Sequence, residues 1–252
     1  MASEERFGYE WKKYAEMTAV YEGQFRNWTG MSTKDFFGKD VLDAGCGMGR
    51  NSYWPLRWWA KHVTAFDNDE QSLASARDTL SKFPNATIIR CDISHTPWKN
   101  EFDLILCIGV LHHLHNPRLA LENFARALRA EGQMVVWVYS HEGNELKVPL
   151  INALRIFTSW LPLPFVHILT YTFSLPLYLL IKSGILRGPY YRQLATFNFW
   201  HIHSIVFDQL IPTVANYWRR NEVETLAKGI GFREISVERP SNGMGWILKG
   251  TK

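Results

Sequence analysis

Val41-Leu42-Asp43-Ala44-Gly45-Cys46-Gly47-Met48-Gly49-Arg50 is a short apolar run that breaks into three alternate glycines and then, from Arg50, into a helical pattern. Glycine is needed where the backbone turns sharply and where a ligand must approach the main chain within contact distance. A dinucleotide fingerprint would space its glycines as Gly-x-Gly-x-x-Gly. Here they stand at Gly45, Gly47 and Gly49 with Arg at position 50, which departs from the pyrophosphate-cradling pattern. What surrounds the loop decides between a ligand cradle and a plain glycine turn.

Around it, short β-type runs alternate with longer helical patterns. The runs are Val41-Leu42, His62–Phe66, Ala86–Ile89, Phe102–Leu106 and Met134–Tyr139, and the spacing predicts helices over 70–82 and 117–130. The second opens on Asn116-Pro117, an N-cap followed by proline at the first helical position, and stops before Gly132. Strand–helix–strand alternation requires parallel strands joined by crossovers, hence a doubly wound α/β sheet. Downstream, Asn221–Glu224 reads as a capping box opening a helix that ends near Gly229. Residues 232–239 and 244–249 read as two strands joined by Ser241-Asn242-Gly243. Four regions follow: an N-terminal helical cap at 1–38, rich in mixed aromatics and charges; a core at 39–140; an insertion at 141–218; and the end of the core sheet at 219–252.

Composition narrows the classes. The 252 residues are 46% hydrophobic and 21% charged, which excludes a disordered chain. The net charge of +4 is scattered, with no run of Lys or Arg longer than two, so no nucleic-acid partner is indicated. Three cysteines without paired spacing give neither a disulfide framework nor a zinc knuckle, and no metal-ligand spacing emerges elsewhere. The polar start, Met1–Arg6, carries no signal peptide, and the expected compartment is the cytoplasm.

The Asp-x-Gly-x-Gly-x-Gly arrangement, with Asp43 two residues before Gly45, resembles motif I of the class I S-adenosylmethionine-dependent methyltransferases. Three further stretches resemble that family in order. Phe66-Asp67-Asn68 ends the second strand 22 residues after Gly45, where an acidic side chain meets ribose hydroxyls. Cys91-Asp92-Ile93 follows the third strand, where the family's acid meets the adenine amino group. Phe102–Leu114 resembles motif IV and its post-strand loop, with Cys107 at the strand end and His112-His113 beyond it. The resemblance covers roughly 39–140 and 220–250. It implies a seven-stranded sheet of order 3-2-1-4-5-7-6 and S-adenosyl-L-methionine as cofactor. The implied cofactor residues are Asp43, Gly45, Cys46, Gly47, Gly49, Asp67, Asn68, Cys91, Asp92, Ile93 and Cys107.

The same resemblance implies methyl transfer to a small, lipophilic or aromatic acceptor, at oxygen before nitrogen or carbon. A hydroxyl acceptor benefits from a general base. His112 and His113 are the first candidates; His141, His201 and His203 are further ones, with Tyr139 and Glu142 near the same edge. Phe207-Asp208-Gln209-Leu210-Ile211-Pro212 resembles an Asp-Trp-Leu-Ser-Pro pattern of a bacterial subgroup associated with small-molecule or cell-surface pathways. It makes Asp208 a substrate- or lid-locking candidate, although Gln209 and Ile211 depart from the pattern. Two rivals stand beside this reading: a non-catalytic cofactor-binding protein, and a protein or nucleic-acid methyltransferase.

The insertion is unusual. Only eight of its 78 residues are charged, against 44 of the other 174, and Ile156–Ile181 carries no formal charge. That stretch has the length to cross about 30 Å of hydrocarbon. Pro162, Pro164 and Pro176 interrupt it, and both its ends must return to one sheet, so a single crossing is excluded. A buried helical lid, a peripheral membrane surface over 156–181 and an oligomer interface remain open.

Overall fold

Seven strands form one sheet: β1 (Asp40–Ala44), β2 (His62–Asp67), β3 (Ala86–Arg90), β4 (Phe102–Ile108), β5 (Leu128–Val138), β6 (Arg233–Glu238) and β7 (Trp246–Thr251). Their order is β3-β2-β1-β4-β5-β7-β6, as expected from the sequence. A computed structural model describes residues 3–14, 16–145 and 147–252. β1 to β5 run parallel, and β7 is antiparallel to both β5 and β6. The central strands are apolar on both faces because each face is covered by helices. Leu42, Ile105 and Val136 pack on one side, and Val41, Leu104 and Val135 on the other, following the two-residue alternation of a strand.

The helices are α1 (Ser3–Lys13), α2 (Val20–Thr29), α3 (Arg50–Arg57), α4 (Glu70–Leu80), α5 (Pro117–Ala127), α6 (Lys147–Thr158), α7 (Leu163–Lys182), α8 (Pro189–Leu194), α9 (Phe199–Leu210) and α10 (Arg220–Ala227). Their starts follow local chemistry. Asp69 caps α4 by accepting the Ser72 N–H at 2.7 Å, and Asn116 caps α5 through the Leu119 N–H at 3.2 Å.

Two boundaries differ from the sequence reading. The helix expected to reach residue 130 ends at Ala127, and β5 begins at once. Leu128 continues the apolar face of α5 in sequence, but it pairs with Phe102 and is fully buried. The residues before Gln133 then bulge, with Glu131 at φ 63°, while Arg129 turns to Asp40 and Asp103 at 2.9 and 2.8 Å. The capping box of α10 is also displaced. Arg219 is the cap residue, and its N–H donates to Glu222 at 2.6 Å, whereas Glu224 pairs with Lys228.

The described residues of the insertion form four helices, α6 to α9. Two of the prolines expected to interrupt it instead start α7: Pro162 is its cap residue and Pro164 lies in its first turn. Pro176 sits inside a helix that continues to Lys182. One narrow stripe of α7, Leu163, Val166, Thr170 and Ser174, is buried. Leu163 and Val166 pack with Phe207 and Leu210 of α9.

Candidate active site

The carboxyl ends of β1 to β5 open into one cavity of about 660 Å³. Ligands of open α/β sheets bind at this edge. On the β1–β3 side the glycine loop turns with Gly45 at φ 75° and Gly47 at φ 53°, so both positions need glycine. A Cβ on Gly47 would also stand 2.8 Å from Trp11 Nε1 of α1. Asp67, at the end of β2, accepts the Gly47 N–H on Oδ2 at 2.9 Å and the Asp69 N–H on Oδ1 at 3.1 Å. Burial raises its pKa, and these backbone bonds oppose the shift. Asn68, Cys91, Asp92 and Ile93 continue the same wall, with Asp92 accepting the Ser94 N–H at 2.8 Å. Cys46 lines the floor.

Three of the expected cofactor residues do not line the cavity. Asp43 is buried beneath the loop, where Oδ2 accepts the Ser52 hydroxyl at 2.6 Å and Oδ1 has no partner. Burial pushes its carboxyl up to about 7. Gly49 is the cap of α3 and faces Leu80, at 3.1 Å from an added Cβ. Cys107 is fully buried in the sheet core, and burial raises its thiol pKa.

The opposite side is built by α1, β5 and the insertion. Tyr139 follows β5 and donates its hydroxyl to Asp208 Oδ2 at 2.7 Å, while accepting from Gln209 Nε2 at 2.9 Å. Gln209 Oε1 accepts the Tyr217 hydroxyl at 3.0 Å, and Arg155 Nη2 donates to that hydroxyl at 3.2 Å. Each proton in this chain has one direction, which fixes Asp208 as an acceptor at the cavity wall. Gln209, a departure from the subgroup pattern, is the link that joins Tyr139 to Tyr217.

His112 and His113 separate. The turn over 111–113 sends the His113 ring into the cavity and the His112 ring into the core. His112 is fully buried, lies tilted against Tyr139 with ring centroids 3.8 Å apart, has no partner for either ring nitrogen and does not line the cavity. His113 Nδ1 lies 2.7 Å from the Val214 carbonyl, which can only accept; Nδ1 therefore carries the proton and Nε2 the lone pair. Burial lowers the pKa of His113 and keeps the ring neutral. His201 lines the cavity too, stacked on Phe197 at 3.7 Å, and burial lowers its pKa to about 3. His141 and His203 do not line it; His203 is held by Ser174 at 2.7 Å.

Residues 42–136 match a methyltransferase domain family. Over that span, 95 of its 252 residues, the chain carries a methyltransferase domain. It is 31% identical over 119 residues to the tRNA U34 carboxymethyltransferase of Idiomarina loihiensis, a match covering 45% of this chain and 37% of that protein. Matches to the curated relatives span between 26% and 49% of their length. Among solved structures, the magnesium protoporphyrin IX methyltransferase of Synechocystis PCC 6803, with bound SAH, superposes with a TM-score of 0.58 at 13% identity, over 96% of this chain and 93% of that one. The Burkholderia thailandensis 1,6-didemethyltoxoflavin-N1-methyltransferase does so with a TM-score of 0.55 at 16% identity, over 93% and 78%. At such identities the likeness shows the fold.

The β1–β3 wall fits S-adenosylmethionine, the cofactor that the resemblance implies. The glycine turn leaves room for close approach, Asp67 would meet a ribose diol at the cavity, and Asp92 and Ile93 would flank the base. The sequence reading missed the contribution of the N-terminal cap. Glu10 of α1 is buried at the cavity wall, accepts the Ser204 hydroxyl at 3.1 Å and leaves Oε2 without a partner. Burial raises its pKa well above the usual carboxylate range. Trp11, Tyr21 and Trp28 surround the guanidinium of Arg50 at 5.2, 4.7 and 5.7 Å. The signal was present: Phe7, Trp11 and Tyr14 form a helical apolar stripe, and Glu10 interrupts it.

Proposed function

We propose that this methyltransferase moves a methyl group from S-adenosylmethionine to an oxygen of a small, lipophilic or aromatic acceptor. The observation that carries this reading is the pairing of the His113 Nε2 lone pair with an acceptor wall made of aromatic and apolar side chains from the insertion. Ile151, Tyr190, Leu194 and Phe197 supply that wall, and Tyr139, Asp208, His113 and Glu10 supply its polar points. When bound, the cofactor presents an electrophilic methyl on its sulfonium. The chain's own residues do the rest. Asp67, Asp92 and the glycine loop hold the cofactor. His113 Nε2 takes the acceptor's proton, Asp208 holds the Tyr139 hydroxyl at the cavity wall, and Glu10, whose pKa burial raises, leaves Oε2 without a partner at the same wall. The apolar wall excludes water and holds the acceptor in line, where positioning contributes much of the acceleration.

The relative named for tRNA does not favour an RNA acceptor here. The family match ends at residue 136, before the insertion that closes the acceptor side begins. Of the cations in that insertion only Lys147 lines the cavity, which is not the basic groove that tracks an RNA backbone. The test is incubation of the full chain with methyl-labelled S-adenosylmethionine and the host's organic extract, or its total RNA. Label in one or a few organic-soluble products supports the proposal, and label confined to RNA contradicts it.

A further inference from the structure

Among the described residues, sixteen large apolar side chains are exposed, and thirteen of them lie between Leu150 and Trp200. Soluble surfaces seldom gather apolar area in this way. The turn from α6 to α7 presents the two most open, Trp160 at 88% and Phe157 at 72%, with Phe165 beyond them at 64%. From there Phe165, Ile168, Leu175 and Leu179 continue along the outer side of α7 at helical spacing, with Phe173 and Leu180 beside them. The inner side is already taken by α9 through Leu163 and Val166, and by the bond from Ser174 to His203.

This face does not cross a bilayer, although α7 has the length and hydropathy to do so and only 22% of its apolar window is buried. Lys147 and Ile151 of α6 line the same cavity as Tyr190 and Leu194 of α8, so the two ends of the segment return to one side. Charge identifies the occupant. From 146 to 207 the sequence holds no Asp or Glu. Lys147, Lys182, Arg187 and Arg192 are exposed there, while Arg155 is buried in the Tyr217 and Gln209 network. A second copy of the chain would set this basic rim against another with no carboxylate from the segment to answer it. An anionic lipid surface answers both the apolar face and its rim.

We propose that the outer face of α6–α7 docks the protein on an anionic bilayer, with Phe157, Trp160 and Phe165 entering the headgroup–acyl boundary and Lys182, Arg187 and Arg192 meeting the headgroup phosphates. The docking does not depend on which acceptor is methylated. The test is flotation of the full chain with vesicles of phosphatidylcholine containing one-third phosphatidylglycerol, and with phosphatidylcholine alone. The chain floats with the anionic vesicles and at least about tenfold less with the neutral ones. Phe157→Ser with Trp160→Ser lowers flotation about tenfold or more. Arg187→Glu with Arg192→Glu removes the preference for phosphatidylglycerol. These side chains are exposed, so cofactor affinity and melting temperature serve as folding controls and stay unchanged. Failure to float with either vesicle overturns the proposal. So does equal flotation with both, or flotation that the variants leave intact. A dimer in solution that Phe157→Ser with Trp160→Ser dissociates would assign the face to a second copy instead.

Discussion

Asp67 holds two backbone N–H groups, one from the glycine loop and one from the turn into α4, and faces the cavity between them. It thus sets the loop's shape and offers a carboxylate to a ribose diol. Asp67→Ala is expected to weaken S-adenosylmethionine binding by at least about tenfold, since a hydrogen bond to a charged group contributes about 1.5–3 kcal/mol. Calorimetry with circular dichroism as the folding control measures this, and unchanged affinity would remove Asp67 from the cofactor site. At this scale the sequence was a good guide to which backbone turns where, and a poorer one to which side chain points up. Asp43 and Gly49 belong to the same motif as Gly45 and Gly47, and Cys107 to the same motif as His113, but a strand alternates its side chains and a helix cap faces inward. Neighbouring motif positions therefore divide between the cavity and its underside. His112 and His113 divide within a single 3-10 turn, whose three residues per turn set successive side chains about 120° apart.

Among elements, α1 carries the least expected role. Arg6 is 2% exposed and ties α1 to the insertion. Its Nε donates to the Ile211 carbonyl at 2.8 Å, and its Nη atoms donate to those of Thr158 and Ser159 at 2.8 and 3.0 Å. These carbonyls end α6 and α9, where helices leave acceptors unsatisfied. Glu10, one turn on, is thereby pressed into the cavity wall. Arg6→Ala is expected to cost about 1–3 kcal/mol through buried carbonyls left without donors. Hydrogen exchange should quicken in α1 and at the end of α6 while β1 to β4 remain protected. Uniform exchange across the chain, or an unchanged melting temperature, would show that Arg6 is no latch. The helices of the core were legible because apolar spacing marks α4 and because Asn116 and Pro117 announce the start of α5. The end of α5 was not, because Leu128 continues its apolar face and only the pairing with Phe102 ends the helix.

Over the whole molecule, the half that holds the cofactor and the half that closes on the acceptor have different kinds of sequence. Strand alternation and glycine spacing made the sheet order readable, since parallel strands with crossovers allow few arrangements. The insertion offered only its apolar character. That α6 to α9 both close the cavity and present an outer apolar face depends on long-range contacts such as Val166 with Phe207, which no local pattern encodes. The claim that joins the halves is that His113 Nε2 acts on an acceptor held by the insertion, opposite a cofactor held by β1 to β3. Burial lowers the pKa of His113, so the lone pair stays free through neutral pH and is lost only as pH falls below the usual histidine range. The direct measurement is the single-turnover methyl-transfer rate of the parent and of His113→Gln across pH, with cofactor affinity measured on both. The account predicts a parent rate level from neutral pH upward that falls in acid. His113→Gln should be slower by about 10²-fold or more, without that acid limb and with unchanged cofactor affinity. A rate within a few-fold of the parent, keeping the same acid limb, would contradict it.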